Sequence, residues 1–181
     1  TYDVTMPFIR MMAGPVDYTQ GAMHNASREN FRAIHDEPMS QGTRCRQLAE
    51  YIVFDSPLNM LCDSPSSYER EHECTSFIAG IPTVWDHTTV LCGKVSEYIA
   101  TARQKGNIWY VGAMTNWEEC TIEIDLSFLG AGDFKAEIFR DGVNAYRYAR
   151  DYKKELIEIP ADRKLKVRMA PGGGFAARIY Q

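Results

Sequence analysis

Residues 6–13 form a dense apolar run broken once, by Arg10, and closed by Gly14-Pro15, which predicts a buried strand running into a loop. The following loop, 16–25, holds Asp17, Tyr18, Gln20 and His24 around Gly21. Gln41-Gly42-Thr43 then introduces residues 44–54, where Leu48, Ile52 and, one residue short of the next turn, Tyr51 recur at helical spacing. Pro57 stops that helix, residues 58–62 predict a second short buried strand, and Asp63-Ser64-Pro65-Ser66 is the loop leaving it. Ser66 or Ser67 is placed to N-cap a further helix, with Glu69 and Glu71 in its first turn, where the helix dipole favours negative charge. Strand, loop, helix, short strand, loop, helix is the rhythm of parallel α/β units. Only two such units fit before Pro82, and two parallel strands cannot close a sheet or bury both faces, so residues 1–82 read as a piece of something larger.

After Pro82 the pattern changes to strands between turns. Strands are predicted at 83–91, 98–103, 108–114, 120–125, 134–140, 155–159, 164–169 and 175–180. Residues 121–126 and 165–169 alternate apolar with polar side chains, the mark of half-buried antiparallel strands. Turn signals at Lys105-Gly106-Asn107, residues 130–133, Asp141-Gly142 and Gly172-Gly173-Gly174 separate them. The expected fold is therefore an α+β composite, with a partial (β/α) barrel segment of two βα units over residues 1–82 followed by an antiparallel β-sandwich over 83–181.

Composition supports a packed chain: 45% of the 181 residues are hydrophobic and 12% aromatic, so it is neither disordered nor fibrous. The formal charge of -4 lacks the basic footprint of a nucleic-acid binder, and no apolar stretch approaches the roughly 20 residues of a membrane span. Charge divides unevenly: residues 1–82 carry 6 Arg, no Lys and 11 acidic side chains, against 14 basic and 13 acidic in the rest, which also places a boundary near Pro82. The first residues, Thr1-Tyr2-Asp3, include no initiator Met, basic leader or signal-peptide core, so the start is expected to be a cut, made by a domain boundary, by processing or by truncation.

Active sites of (β/α) barrels lie on the loops after the strands. Here those loops offer Asp17, Tyr18 and His24 on one side and Asp63, Ser64 and Tyr68 on the other. Asp17, Tyr18 and Asp63 are the candidate substrate-binding residues, since carboxylates accept from sugar hydroxyls and aromatic faces stack on sugar rings; the competing role for either Asp is to cap its own turn. Five cysteines lie far apart without a Cys-x-x-Cys pair, and the four histidines are scattered, so no zinc site or nucleophilic triad is expected. Glu69-Arg70-Glu71-His72-Glu73 lacks two His at i, i+4 and reads as a solvated helix face, and the glycine run at 172–174 lacks the helix and Lys of a phosphate loop. Trp85, Trp109, Tyr110 and Trp117 offer either a sugar-stacking platform or sandwich core. No pair of carboxylates stands out as acid and nucleophile, so no catalytic residue is assigned.

The runs MPFIRMMAGPVDYTQGAM at 6–23, SPLNMLCDSP at 56–65, PTVWD at 82–86, WYVGAMTNW at 109–117 and APGGGF at 170–175 together resemble glycoside hydrolase family 97 over essentially the whole chain. One departure is Gln20, where the family pattern usually has Pro after Asp-Tyr-Thr, which leaves that loop less rigid. The resemblance implies a three-part enzyme, an N-terminal β-sandwich, a central (β/α) barrel and a C-terminal β domain, acting on α-linked glucosides or galactosides with a bound calcium ion. This chain would hold the last barrel units and the C-terminal domain. The acid/base and calcium-binding glutamates would lie upstream, leaving the segment itself inactive, with no metal ligands of its own. An oligosaccharide substrate, export to the periplasm or cell surface, and either an inverting or a retaining outcome are implied for the parent. Two barrel strands cut from their neighbours would leave unpaired edges, so the isolated chain is expected to be a homo-oligomer. The alternative is a non-catalytic carbohydrate-binding or structural sandwich, which an exposed Trp/Tyr pair would favour.

Overall fold

The computed structural model describes residues 2–181; Thr1, the first residue of the expected barrel segment, lies outside them. Residues 6–13 are not a strand. They form one turn of helix, α1 (Met6–Ile9), continued by a 3-10 turn at Arg10–Ala13. Pro7 sits in the first helical turn, where its missing N–H costs nothing, and the run of Met, Phe and Ala has Ile9 as its one β-branched member. The run is also not buried as a unit, with Met12 84% exposed.

Two short strands follow, β1 (Thr19–Gln20) and β2 (Asn25–Ala26), then β3 (Ser40–Gln41) beside β2. Helix α2 (Arg44–Val53) occupies the predicted span, with Thr43 as N-cap accepting from the Arg46 N–H. It leads to β4 (Met60–Leu61), which pairs parallel with β1, a βαβ connection. That pairing covers two residues, and the expected burial of 58–62 fails: Leu58 is 71% exposed and both strand residues are exposed. Ser64, not Ser66 or Ser67, caps α3 (Pro65–Arg70), because Pro65 is preset for the first helical position and the Ser64 hydroxyl accepts from the Ser67 N–H. Helix α4 (His72–Ala79) follows after a break at Glu71.

The second half is antiparallel sheet. Each of the eight expected strands is present, with ends moved by a few residues: β5 (His87–Lys94), β6 (Tyr98–Lys105), β7 (Ile108–Thr115), β8 (Cys120–Asp125), β9 (Lys135–Asp141), β10 (Tyr152–Glu158), β11 (Lys164–Met169) and β12 (Gly174–Tyr180). β5 begins late because Asp86 is used in a turn, its carboxylate accepting from Lys105 Nζ and the Gly106 N–H at 2.8 Å each. One sheet has the order β10-β9-β12-β7-β6-β5, and β11 and β8 form a second, two-stranded sheet. The chain changes sheet after β7 and β10 and returns after β8 and β11, so the layers interlock as a sandwich.

Between the sheets lies one core, with Val111, Ile124, Leu126, Phe134, Val167 and Phe175 among its members. The opposite face of the large sheet is covered by α2. Leu48, Tyr51 and Ile52 pack on Tyr110, Phe139 and Ala176, and Ala49, Val53 and Phe54 on Ile99 and Met114. Close approach is possible because β7 and β12 present Gly112 and Gly174 to the helix; a Cβ at Gly174 would sit 2.5 Å from the Arg46 Cα. All ten residues of α2 are consequently buried, its two arginines and its glutamate included.

Candidate functional site

The parallel pair β1 and β4 places two loops side by side at its C-terminal end. Asp63 joins them: its Oδ2 accepts from the Met23 N–H at 2.7 Å and its Oδ1 from the Ser64 N–H at 2.7 Å. Tyr68 adds a second tie, donating to the Gly21 carbonyl at 3.0 Å while its oxygen accepts from the Asp63 N–H at 3.1 Å. Asp63 thus does both jobs weighed for it. It caps its own turn and fixes the neighbouring loop, and each oxygen keeps a lone pair for a further donor. A cavity of about 400 Å3 opens here, with His24, Glu37, Asp63, Ser67, Arg70 and Arg150 on its walls. His24 Nδ1 faces Glu37 at 3.6 Å and has no hydrogen-bond partner.

Asp17 and Tyr18 lie elsewhere. They precede β1, at the opposite end of the strand from Asp63, because the strand of the first unit is Thr19–Gln20 and not residues 6–13. Asp17 is exposed. Tyr18 turns inward, edge-on to Phe54 with ring centroids 4.8 Å apart, and donates to Asp3 Oδ1 at 3.1 Å. Burial, with Glu50 and Asp3 nearby, raises its phenol far above the ordinary value, so it is a fixed donor.

The loops stand on the polar side chains of α2, which periodicity alone left unassigned. Arg44 donates to Asn25 Oδ1 at 2.5 Å, to the Met23 carbonyl at 2.6 Å and to Glu71 Oε2 at 2.8 Å, and the last contact holds the Glu71 carboxyl below its usual range. Gln47 accepts from the Gly21 N–H at 2.8 Å. Tyr51 donates to the Gln20 carbonyl at 2.9 Å. On the other side of the helix Arg46 bridges Asp3, Glu50 (3.3 Å) and the Thr115 carbonyl (3.2 Å), and Asp3, Tyr18, Arg46 and Glu50 line a cavity of about 390 Å3. Burial pushes the Glu50 carboxyl up to about 8 despite Arg46, and Glu50 Oε2 has no partner. The arrangement positions loops and can accept hydroxyl protons. Glu50 meets Arg46 through Oε1, and Asp63 accepts from two backbone N–H groups. Among the described residues no group of three or more His, Cys, Asp or Glu side chains is placed to hold a metal ion.

The tryptophans do not form one platform. Trp109 is buried in the sandwich core against Phe128, at 4.5 Å between ring centroids. Tyr110, next on the same strand, faces the helical layer and meets Trp85 edge-on at 5.3 Å. Trp117 is half-buried and stands apart, over Gly172. No helix among the described residues is long and apolar enough to cross a membrane.

A family model described as "Glycosyl-hydrolase 97 C-terminal, oligomerisation" matches residues 84–180. The chain is 62% identical over 178 residues to a retaining alpha-galactosidase of Bacteroides thetaiotaomicron, covering 98% of this chain and 27% of that protein. It is 28% identical over 173 residues to a probable retaining alpha-galactosidase of Streptomyces bingchenggensis, covering 96% of the chain and 25% of the relative. Among solved structures, a Glycoside Hydrolase Family 97 enzyme from Pseudoalteromonas sp. strain K8, in complex with panose, superimposes with a TM-score of 0.87 at 34% identity, over 98% of this chain and 28% of that one. The chain spans about a quarter of the length of the curated relatives it matches.

Proposed function

The chain belongs to glycoside hydrolase family 97, as its C-terminal portion, and we propose that the longer protein it represents hydrolyses α-galactosides with retention of configuration. The observation that carries this reading is the 62% identity to a retaining alpha-galactosidase across 98% of the chain. In a retaining mechanism two carboxyl groups about 5–5.5 Å apart act as nucleophile and acid/base through an oxocarbenium-like transition state. We assign both, and the ligands of any calcium ion, to sequence outside these 181 residues, and the isolated chain is then inactive. A periplasmic or cell-surface location goes with the same reading.

The role proposed for this segment is structural support of a barrel site. Residues 1–82 supply the last two βα units, for which the parallel pairing of β1 with β4 across α2 is the supporting feature. Asp63, on the loop after β4, is the rim residue best placed to accept from a substrate hydroxyl; Asp17 and Tyr18 precede β1, at the end of the strand away from such a rim. Residues 83–181 brace those units through α2 and carry self-association.

The experiment is a chimera in which the corresponding C-terminal quarter of the Bacteroides thetaiotaomicron enzyme is replaced by this chain. It should fold and hydrolyse an aryl α-galactoside with retention, and Asp63→Ala in it should lower kcat/KM about tenfold, equivalent to about 1.4 kcal/mol of transition-state binding. A folded chimera with no turnover, or an isolated chain that turns over the same substrate, overturns the reading.

A further inference from the structure

Trp117 borders two cavities. One is the Asp3/Tyr18/Arg46 cavity already described, and the other, of about 600 Å3, lies between residues 27–30, 117–118, 146–147 and Pro171. On that second side Trp117 shares the walls with Tyr146, which is 53% exposed. Two aromatic rings at the surface of a sandwich lose contact with water only if something covers them.

The walls are fixed before any ligand arrives. Trp117 lies against the backbone of Gly172, where a Cβ would overlap its ring, and the Gly172 N–H donates to the Asn116 carbonyl at 2.6 Å. The Tyr146 loop is closed at its base by Asp151, whose Oδ2 accepts from the Asn144 N–H at 2.7 Å. It is tied to the helical layer by the Arg44 N–H donating to the Ala149 carbonyl at 2.8 Å, and across the cleft by Asn30 Nδ2 donating to the Arg147 carbonyl at 3.1 Å. A pre-shaped cleft loses little entropy on binding.

Its charges define the ligand. Arg28 and Arg147 are matched by Glu29 and Glu118, so the cleft has no net charge to attract a phosphate, an acidic peptide or a cation. Planar guanidinium and carboxylate groups are suited to paired hydroxyls, as bidentate donors and acceptors, and aromatic faces are suited to the apolar C–H face of a pyranose. We propose that this cleft binds a neutral oligosaccharide, with one sugar ring packed on Trp117 and Tyr146. The site joins residues 27–30 of the proposed barrel segment to the half of the chain proposed to brace it, and it acts whether or not the longer protein turns over galactosides.

The test is calorimetric titration of the 181-residue chain with raffinose, with maltotriose and inorganic phosphate as comparators. Saturable raffinose or maltotriose binding near 1 mM is expected, as befits one exposed sugar subsite. Tyr146→Ala should weaken it at least fivefold and Trp117→Phe severalfold, while Leu156→Ala, on the far edge strand β10, leaves it unchanged. Tyr146 is exposed on its loop, so that variant tests the site even if Trp117→Phe perturbs the packing over Gly172. No saturable binding up to about 20 mM of either sugar, wild-type binding in the folded Tyr146→Ala variant, or phosphate binding in place of sugar overturns the proposal. Because the readout is binding by the chain alone, failure here is separable from failure of the chimera to hydrolyse.

Discussion

Replacing Gly174 with Ala tests whether α2 rests directly on the backbone of β12. A Cβ at Gly174 would lie 2.5 Å from the Arg46 Cα, 2.6 Å from the Arg46 N and 2.8 Å from the Cys45 carbonyl carbon. Ordinary van der Waals contact begins near 3.4 Å, so the helix must retreat by roughly 0.9 Å. Backbone meets backbone here, and no rotamer change relieves it. Overpacking of this kind costs about 1–3 kcal/mol, and the shift also strains the Arg44 and Arg46 hydrogen bonds, which places the expected loss at about 3 kcal/mol. For a chain of this size that lowers Tm by about 6–12 °C. Urea unfolding followed by far-UV circular dichroism gives the difference, with Gly106→Ala as the reference. Gly106 has φ +55° and open space around its Cβ position, so its cost is that of backbone conformation alone, about 1 kcal/mol. If Gly174→Ala costs no more than Gly106→Ala, the close approach of α2 to the sheet is wrong, and with it the account of why the charged side chains of α2 are buried.

Glu50 predicts the pH dependence. Its carboxyl is pushed up to about 8 in the folded chain against 4.5 ordinarily, so between those values the native state holds a proton that the unfolded chain has released, and stability falls as pH rises through the window. Unfolding free energies at pH 5 and pH 8 should show this fall, and Glu50→Gln should reduce it by about 3–4 kcal/mol; an unchanged slope refutes the protonated state. The self-association proposed above predicts the behaviour of an edge. Residues 88–93 of β5 carry no charge and Val90 is 65% exposed, whereas the opposite edge strand β10 presents Lys153 and Lys154. Val90→Lys should shift the chain toward monomer in sedimentation velocity, and an unchanged distribution places the contact elsewhere.

The sandwich was legible because its signals are local. Alternation in 121–126 and 165–169 and glycine turns between strands are properties of neighbouring residues, and the structure differs from that reading mainly in strand ends that a side chain such as Asp86 sets. Residues 6–13 misled because an apolar run without a period does not distinguish strand from helix; Pro7, which cannot donate to a ladder and fits a first helical turn, was the available sign. Ser66 and Ser67 gave way to Ser64 as the cap for a related reason, since Pro65 marks the first helical position and the cap must precede it.

The polar residues of α2 are a different case. Periodicity assigned Arg44, Arg46, Gln47 and Glu50 no role, and it is the chain crossing over them from β1, β2 and the N-terminus that makes them interior. One local hint existed. Arg46 precedes Glu50 at i, i+4, the order that a free helix surface favours less, so the pair gains more from a fixed partner such as Asp3 than from its own helix. A helix buried on both sides must bring such partners, because an unpaired guanidinium in the interior costs several kcal/mol. The same side chains that keep α2 tolerable between the sheet and the loops therefore also set where Asp63 and Tyr18 can stand, and no substitution at Arg44 or Arg46 can loosen the packing without moving the site.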